Sequence, residues 1–209
     1  MKTLCGSVGA VLVSLALSSC STADSQGEAV VAVDPFDEIR AATAKYQDIN
    51  VALAEGFIPD PMGVCEDAAN FGLAAEMGAM GLHYFRPDLL QVTATEPLVD
   101  GTGIHTDFTQ PAVLIYEPQA DGSLELVAIE NLAFAAAWAA AGNTEPPSFQ
   151  DVPFDHMADD PATEMDEAHM FTAHYDRHVW LYRENPNGMF AQFNPAVTCE
   201  HAAAADHAH

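Results

Sequence analysis

AVLIYEPQADGSLELVAIEN, residues Ala112–Asn131, is the stretch on which the fold turns. Two aliphatic runs, Ala112–Glu117 and Leu124–Asn131, flank the segment Pro118–Ser123. That segment holds Asp121-Gly122, a pair suited to the left-handed backbone of a tight hairpin turn. The stretch therefore predicts two antiparallel strands. Side chains alternate along a strand, so Leu124, Leu126, Ala128 and Glu130 are expected on one face. That row is apolar and should point inward. A carboxylate at the end of an inward row is costly unless it is paired or bound to a cation. Glu130 thus becomes a candidate ligand, and Glu117, which ends the partner strand, a second.

Working outward, Leu82–Phe85 reads as a short strand stopped by Arg86-Pro87. Tyr175–Arg183 reads as another, ended by Asn185-Pro186-Asn187-Gly188. Upstream, Asp34-Pro35 opens a helix with Asp as N-cap and Pro in the first turn. Phe36, Ile39, Ala42, Tyr46, Ile49 and Leu53 recur at three- and four-residue steps up to Gly56, which predicts one apolar helix face. The Ala-, Met- and Gly-rich segment 67–81 fits either a helix or a packed loop. Leu132–Ala141 fits a short helix closed by Gly142, and Asn143–Thr163 a loop rich in Pro and Asp. These pieces predict one α+β domain over residues 34–199, a helical N-terminal part packed on an antiparallel sheet or partly closed β-barrel.

The N-terminus follows a different logic. Met1-Lys2 makes a basic start, and an uncharged run continues to Ser19. The run is short for a membrane span, which takes about 20 apolar residues, and has the length of a signal-peptide core. Leu17-Ser18-Ser19-Cys20 resembles the lipobox of bacterial lipoproteins: an aliphatic residue, two small ones and a cysteine. The resemblance implies cleavage after Ser19, acylation of Cys20, and attachment to the membrane of the cell envelope by that lipid, with the domain facing periplasm or exterior. Several acyl chains on one residue anchor stably where one does not. Residues 20–33, small and polar at first, read as a tether.

Export simplifies the cysteines. Cys5 leaves with the signal and Cys20 carries lipid, so Cys65 and Cys199 remain in an oxidising compartment, where such a pair is normally a disulfide. Neither lies in a C-x-x-C spacing, which weakens the alternative of thiolate metal ligands. Without Lys2 the chain has 5 basic against 31 acidic residues, a formal −26, which argues against nucleic acid and anionic lipid as partners. The acids serve solubility and attract cations. At 49% hydrophobic with 11 Phe, the chain is able to build a core and is not disordered.

Nine histidines against six Lys and Arg is an unusual balance. Parity places His83 with Phe85 on one strand face and His178 with Trp180 and Tyr182 on another. His83, Glu130 and His178, with Glu117, are four candidate ligands on neighbouring strands. Two histidines with a carboxylate suit a divalent ion such as Zn, Cu, Fe or Mn, and an open position would permit catalysis. Taken singly, each histidine has a plainer explanation as a core or surface residue bonded to one of the many acids. The tail, residues 200–209, adds a weaker site at His201, His207 and His209. The scattered methionines read as core filler. No G-x-S-x-G elbow, phosphate loop or free cysteine nucleophile occurs in the mature part. A non-metal function, either small-ligand binding in a groove between helix and sheet or a structural envelope role, is the other expectation.

Five blocks resemble a set of secreted bacterial proteins without an established activity: YQDINVALAEG (46–56), MGLHY (80–84), LIYEP (114–118), LVAIE (126–130) and HVWLYRENPNGMFAQFNPAVTC (178–199). The resemblance covers most of the mature domain. It implies that His83, Glu117, Glu130, His178 and the Cys65/Cys199 pair belong to shared motif blocks. It brings no substrate, and the His-rich tail lies outside it.

Overall fold

The computed structural model describes residues 34–163 and 165–203. The signal segment, Cys20, the tether, His207 and His209 lie outside the described residues. The expected hairpin forms the centre of a seven-stranded antiparallel sheet. We number its strands β1 (Ile58–Pro59), β2 (Glu66–Asp67), β3 (Ala79–Phe85), β4 (Val113–Pro118), β5 (Leu124–Phe134), β6 (Asp155–Met157) and β7 (His174–Val179). Their spatial order is β1-β3-β4-β5-β7-β6, with β2 also paired to β3. Two short two-stranded ribbons lie apart from it. Among the described residues the sheet is not closed, with β1 and β6 as its edges; the α+β class and the antiparallel sheet stand.

The N-terminal helix is interrupted. Helix α1 spans Pro35–Thr43, a 3₁₀ turn follows at Ala44–Gln47, and α2 spans Ile49–Ala54. Asp34 caps α1 by accepting from the Phe36 N–H, as its sequence position suggested. The break comes at Asp48, whose carboxylate accepts from the Asn50 N–H and so caps a second helix where continuity was expected. Ile39, Tyr46, Ala52 and Phe57 from this region pack on Leu114, Tyr116, Leu126, Ile129 and Val179 of the sheet. The Tyr116 hydroxyl donates to the Tyr46 carbonyl at 2.7 Å, which ties the two layers together. The helix–sheet interface is filled by these side chains, with Leu114 and Ile129 fully buried.

Three expectations change downstream. Segment 67–81 is neither a regular helix nor only a loop: 3₁₀ turns at Ala68–Phe71 and Ala75–Met77 lead into β3, which begins at Ala79. Residues Leu132–Phe134, expected as helix, continue β5, because each has a partner on β7: Leu132 with Asp176, Ala133 with Tyr175, Phe134 with His174. Helix α3 is left with Ala135–Ala140. The 143–163 segment is not all loop, since β6 pairs with β7 there. At its other end β7 stops at Val179, short of the expected Arg183.

The second face of the sheet is covered too. Leu90, Val99 and Phe171 pack against Phe85, Val113 and Leu132. Further along, Val197 packs against Ile115, Ala128 and Trp180. Cys65 and Cys199 form the expected disulfide, across a sequence separation of 134.

Gly81 sits where the sheet admits no side chain. Its φ is +117°, and a Cβ there would lie 2.6 Å from the Tyr116 carbonyl oxygen. Gly81→Ala therefore combines backbone strain with a clash against a neighbouring strand. A loss of about 3 kcal/mol or more is expected in denaturant unfolding. A loss below about 1 kcal/mol would show that β3 relaxes freely at this position.

Candidate metal centre

On the second face, register does the positioning. His83 of β3 pairs with Ile115, whose neighbour Val113 pairs with Glu130 on the same face. Glu130 in turn pairs directly with His178 of β7. The three expected residues thus form one row across four strands, between the two apolar clusters that cover this face. The inward direction expected for Glu130 holds, but its grouping does not. A register shift between Ile115 and Tyr116 leaves Val127 as an extra residue on β5. This bulge sends Leu124 and Leu126 to the helix-facing side, while Ala128 and Glu130 share the other.

The atoms converge. The His83 Nε2 and the His178 Nε2 each lie 3.6 Å from Glu130 Oε2. That is long for a hydrogen bond. Two ligands each about 2.1 Å from one tetrahedral ion stand roughly 3.4 Å apart, which is close to what is seen. Glu130 and His178 are both buried, their side chains 6% and 3% exposed. The His178 ring stacks with Trp180, interplanar angle 14°, which fixes its plane.

Three residues not singled out as ligands from sequence complete the centre. Glu66 enters from β2, held beside the Cys65 disulfide, with its Oε1 3.8 Å from His83 Nδ1. His169 comes from a loop in which both His169 and Met170 have positive φ, 53° and 63°. The Asp166 carboxylate accepts the Met170 N–H and stabilises that turn. It brings His169 Nδ1 to 2.7 Å from Glu66 Oε2. Asp60 lies beyond, its N–H donating to the His83 carbonyl. A ligand atom of each of Asp60, Glu66 and His83 falls within 4.8 Å of the others, as is also true of His83, Glu130 and His178.

Hydrogen bonding does not account for this arrangement. Among the described residues, seven buried side-chain polar atoms have no hydrogen-bond partner, and five are here: Glu66 Oε2, His83 Nδ1, Glu130 Oε2, His169 Nδ1 and His178 Nε2. Glu66 Oε2 and His169 Nδ1 face each other at 2.7 Å as an ion pair, which leaves His83 Nδ1, Glu130 Oε2 and His178 Nε2 without one as close. Each unpaired buried polar atom costs about 1–3 kcal/mol, so this cluster calls for a guest. The residues fit a divalent cation: imidazole nitrogens and carboxylate oxygens, in the two-His, one-carboxylate set that such ions take. The cavity they line is about 30 Å³, room for one or two water-sized guests.

The electrostatics agree. Burial, then the neighbouring Asp176, pushes the Glu130 carboxyl well above the usual carboxylate range. Burial likewise raises Asp176, to about 7. Burial, then His83, lowers His178 well below the usual histidine range, so its ring is neutral with a lone pair free. Burial opposes ionisation of Glu66, but His83 and His169 outweigh it and its pKa is lowered. His169 is raised, because Glu66 outweighs the effect of its burial.

Glu117 is not brought to this centre. Its Oε1 accepts the Thr198 N–H at 2.8 Å and its Oε2 accepts from Arg183 at 2.7 Å. It clamps the C-terminal segment near the disulfide. His201 is exposed and belongs to neither group of converging ligand atoms. Little in the sequence marked the added ligands: Glu66 by its place next to Cys65, His169 by nothing but its residue type. Comparison of the chain with protein-family models, curated proteins and solved structures finds no match, so these residues and their geometry carry the functional reading.

Proposed function

We propose that the protein is an exported lipoprotein, anchored through Cys20 in the cell envelope, whose domain holds a divalent transition metal ion between His83, Glu130 and His178. The observation that supports this most strongly is the convergence of buried nitrogen and oxygen atoms without hydrogen-bond partners on one small cavity. The formal charge of −25 adds a field that concentrates cations near the domain. An organic ligand does not fit this cavity, which is about 30 Å³. A metalloenzyme at the same centre is the second reading, favoured by a three-ligand set that leaves a coordination position open. The cavity restricts its substrate to a molecule of a few atoms.

The protonation states give a direct test. Burial and then Asp176 raise the Glu130 carboxyl well above the usual range, and a carboxyl must give up its proton to become a ligand. Titration with Zn(II) in buffers of different ionisation enthalpy should show protons released on binding. The sign for stability follows. A carboxyl raised in the folded state stabilises at low pH, and that contribution fades as pH rises through the folded value, about 7 for Asp176. The Asp176 contribution should therefore weaken from acid to neutral pH, against the opposite trend of the buried His174 and His178, while the rise in melting temperature caused by Zn(II) grows with pH. Binding with no proton release and no pH dependence would contradict the assignment of Glu130.

A further inference from the structure

The five unpartnered atoms divide into two sets, one on each side of the His83 ring. Nε2 faces Glu130 Oε2 at 3.6 Å, with His178 beyond it. On the other side Nδ1 faces Glu66 Oε1 at 3.8 Å, and ligand atoms of Asp60, Glu66 and His83 all lie within 4.8 Å of one another. Both sets hold buried carboxylates, and the first adds the ring of His178. The Glu66 side chain is 3% exposed; its Oε2 pairs with His169 Nδ1 at 2.7 Å, which leaves Oε1 turned to His83 Nδ1 at 3.8 Å, too long for a hydrogen bond. A single ion bound at Nε2 would leave the buried His83 Nδ1 without a partner and the Glu66 and Asp60 carboxylates facing it. The ring is mostly buried and held at both ends, its side chain 12% exposed, so it cannot satisfy both sets by exchange with water.

Resting on the metal-binding reading above, we propose that the centre is dinuclear, with the imidazole of His83 bridging two divalent transition metal ions. One ion is held by His83 Nε2, Glu130 and His178. The other is held by His83 Nδ1, Glu66 and Asp60, with His169 paired to Glu66 at its edge. A neutral imidazole carries one N–H, so binding at both nitrogens expels that proton to solvent and leaves a bridging imidazolate; no electron is transferred. The second site supplies the partner that His83 Nδ1 lacks, and it uses the disulfide beside Glu66 as its frame.

Cu(II) is the suitable probe, because two copper ions joined by an imidazolate couple magnetically. The full chain should carry His201→Ala, His207→Ala and His209→Ala to silence the tail. Two ions per chain are expected. The copper resonance signal should rise with the first equivalent and then fall below that of two isolated ions as the second binds. Glu66→Gln and Asp60→Asn should each reduce the count from two to one and leave an ordinary uncoupled signal. Both changes keep the side-chain volume, and Asp60 lies outside the strands, so the second variant decides if the first fails to fold. One ion per chain, unaffected by either change, would overturn the dinuclear centre and leave the mononuclear reading intact. Two uncoupled ions would overturn the bridge. No bound ion would overturn both readings.

Discussion

His83→Ala is expected to abolish tight metal binding by the domain. The ring contributes to both halves of the cluster, and its Nε2 and Nδ1 face Glu130 and Glu66 respectively. Loss of groups that merely orient ligands lowers metal affinity by about 10- to 100-fold, so loss of a ligand should exceed about 100-fold. At a free-metal concentration 100 times the dissociation constant, an ion stabilises the native state by about 2.7 kcal/mol, and the variant should lose that increment. The metal-free variant should still fold, because His83 lies beside the packed core and Phe85, Val113 and Leu132 keep their contacts. Metal content per chain and melting temperature with and without Zn(II) check this, in a background lacking the tail histidines. Glu117→Gln is the control: its carboxylate serves Arg183 and Thr198, so metal content should be unchanged. Stoichiometric metal in His83→Ala would sink the centre as drawn.

The second large effect is expected from the disulfide. Cys65 and Cys199 are 134 residues apart, so the bond restricts most of the domain in the unfolded state. In the chain-entropy model a loop of that length is worth about 5 kcal/mol at 25 °C. Domains are stable by roughly 5–15 kcal/mol, so replacing both cysteines by alanine removes a large share. For a domain of this size the melting temperature should fall by about 10–20 °C. Glu66 follows Cys65 directly, so metal affinity should weaken with it, and added Zn(II) should recover only part of the lost stability. A melting temperature within about 2 °C of the parent would show that the β2–β3 ladder alone holds Glu66 and that the reduced chain is already compact.

What was legible in the sequence was the part governed by strand alternation. The hairpin announced itself through Asp121-Gly122, and parity put His83 and His178 on faces that prove to be one face. Glu130 was found inward, although through a grouping that the bulge at Val127 rearranges. That bulge carries no glycine or other marker, so a regular alternation hid it. The Ala-rich stretch after Leu132 has helix propensity, but pairing of Phe134 with His174 overrides it until Ala135. Edge strand β6 was hidden in a segment of Asp and Pro, where no alternation is visible. Glu117 looked like a ligand because an inward carboxylate needs a partner; Arg183, 66 residues away, is that partner and only the fold reveals it. Glu66 and His169 reach the centre through a two-residue strand and a left-handed turn, elements too short to leave a periodic trace.

The most direct measurement is a crystal structure of the metal-loaded domain with diffraction recorded on both sides of the metal's absorption edge. The expected result is an anomalous peak bonded at about 2.0–2.2 Å to Nε2 of His83, Nε2 of His178 and a carboxylate oxygen of Glu130. No anomalous density within bonding distance of these three side chains, in crystals of protein whose metal content is stoichiometric, would contradict it.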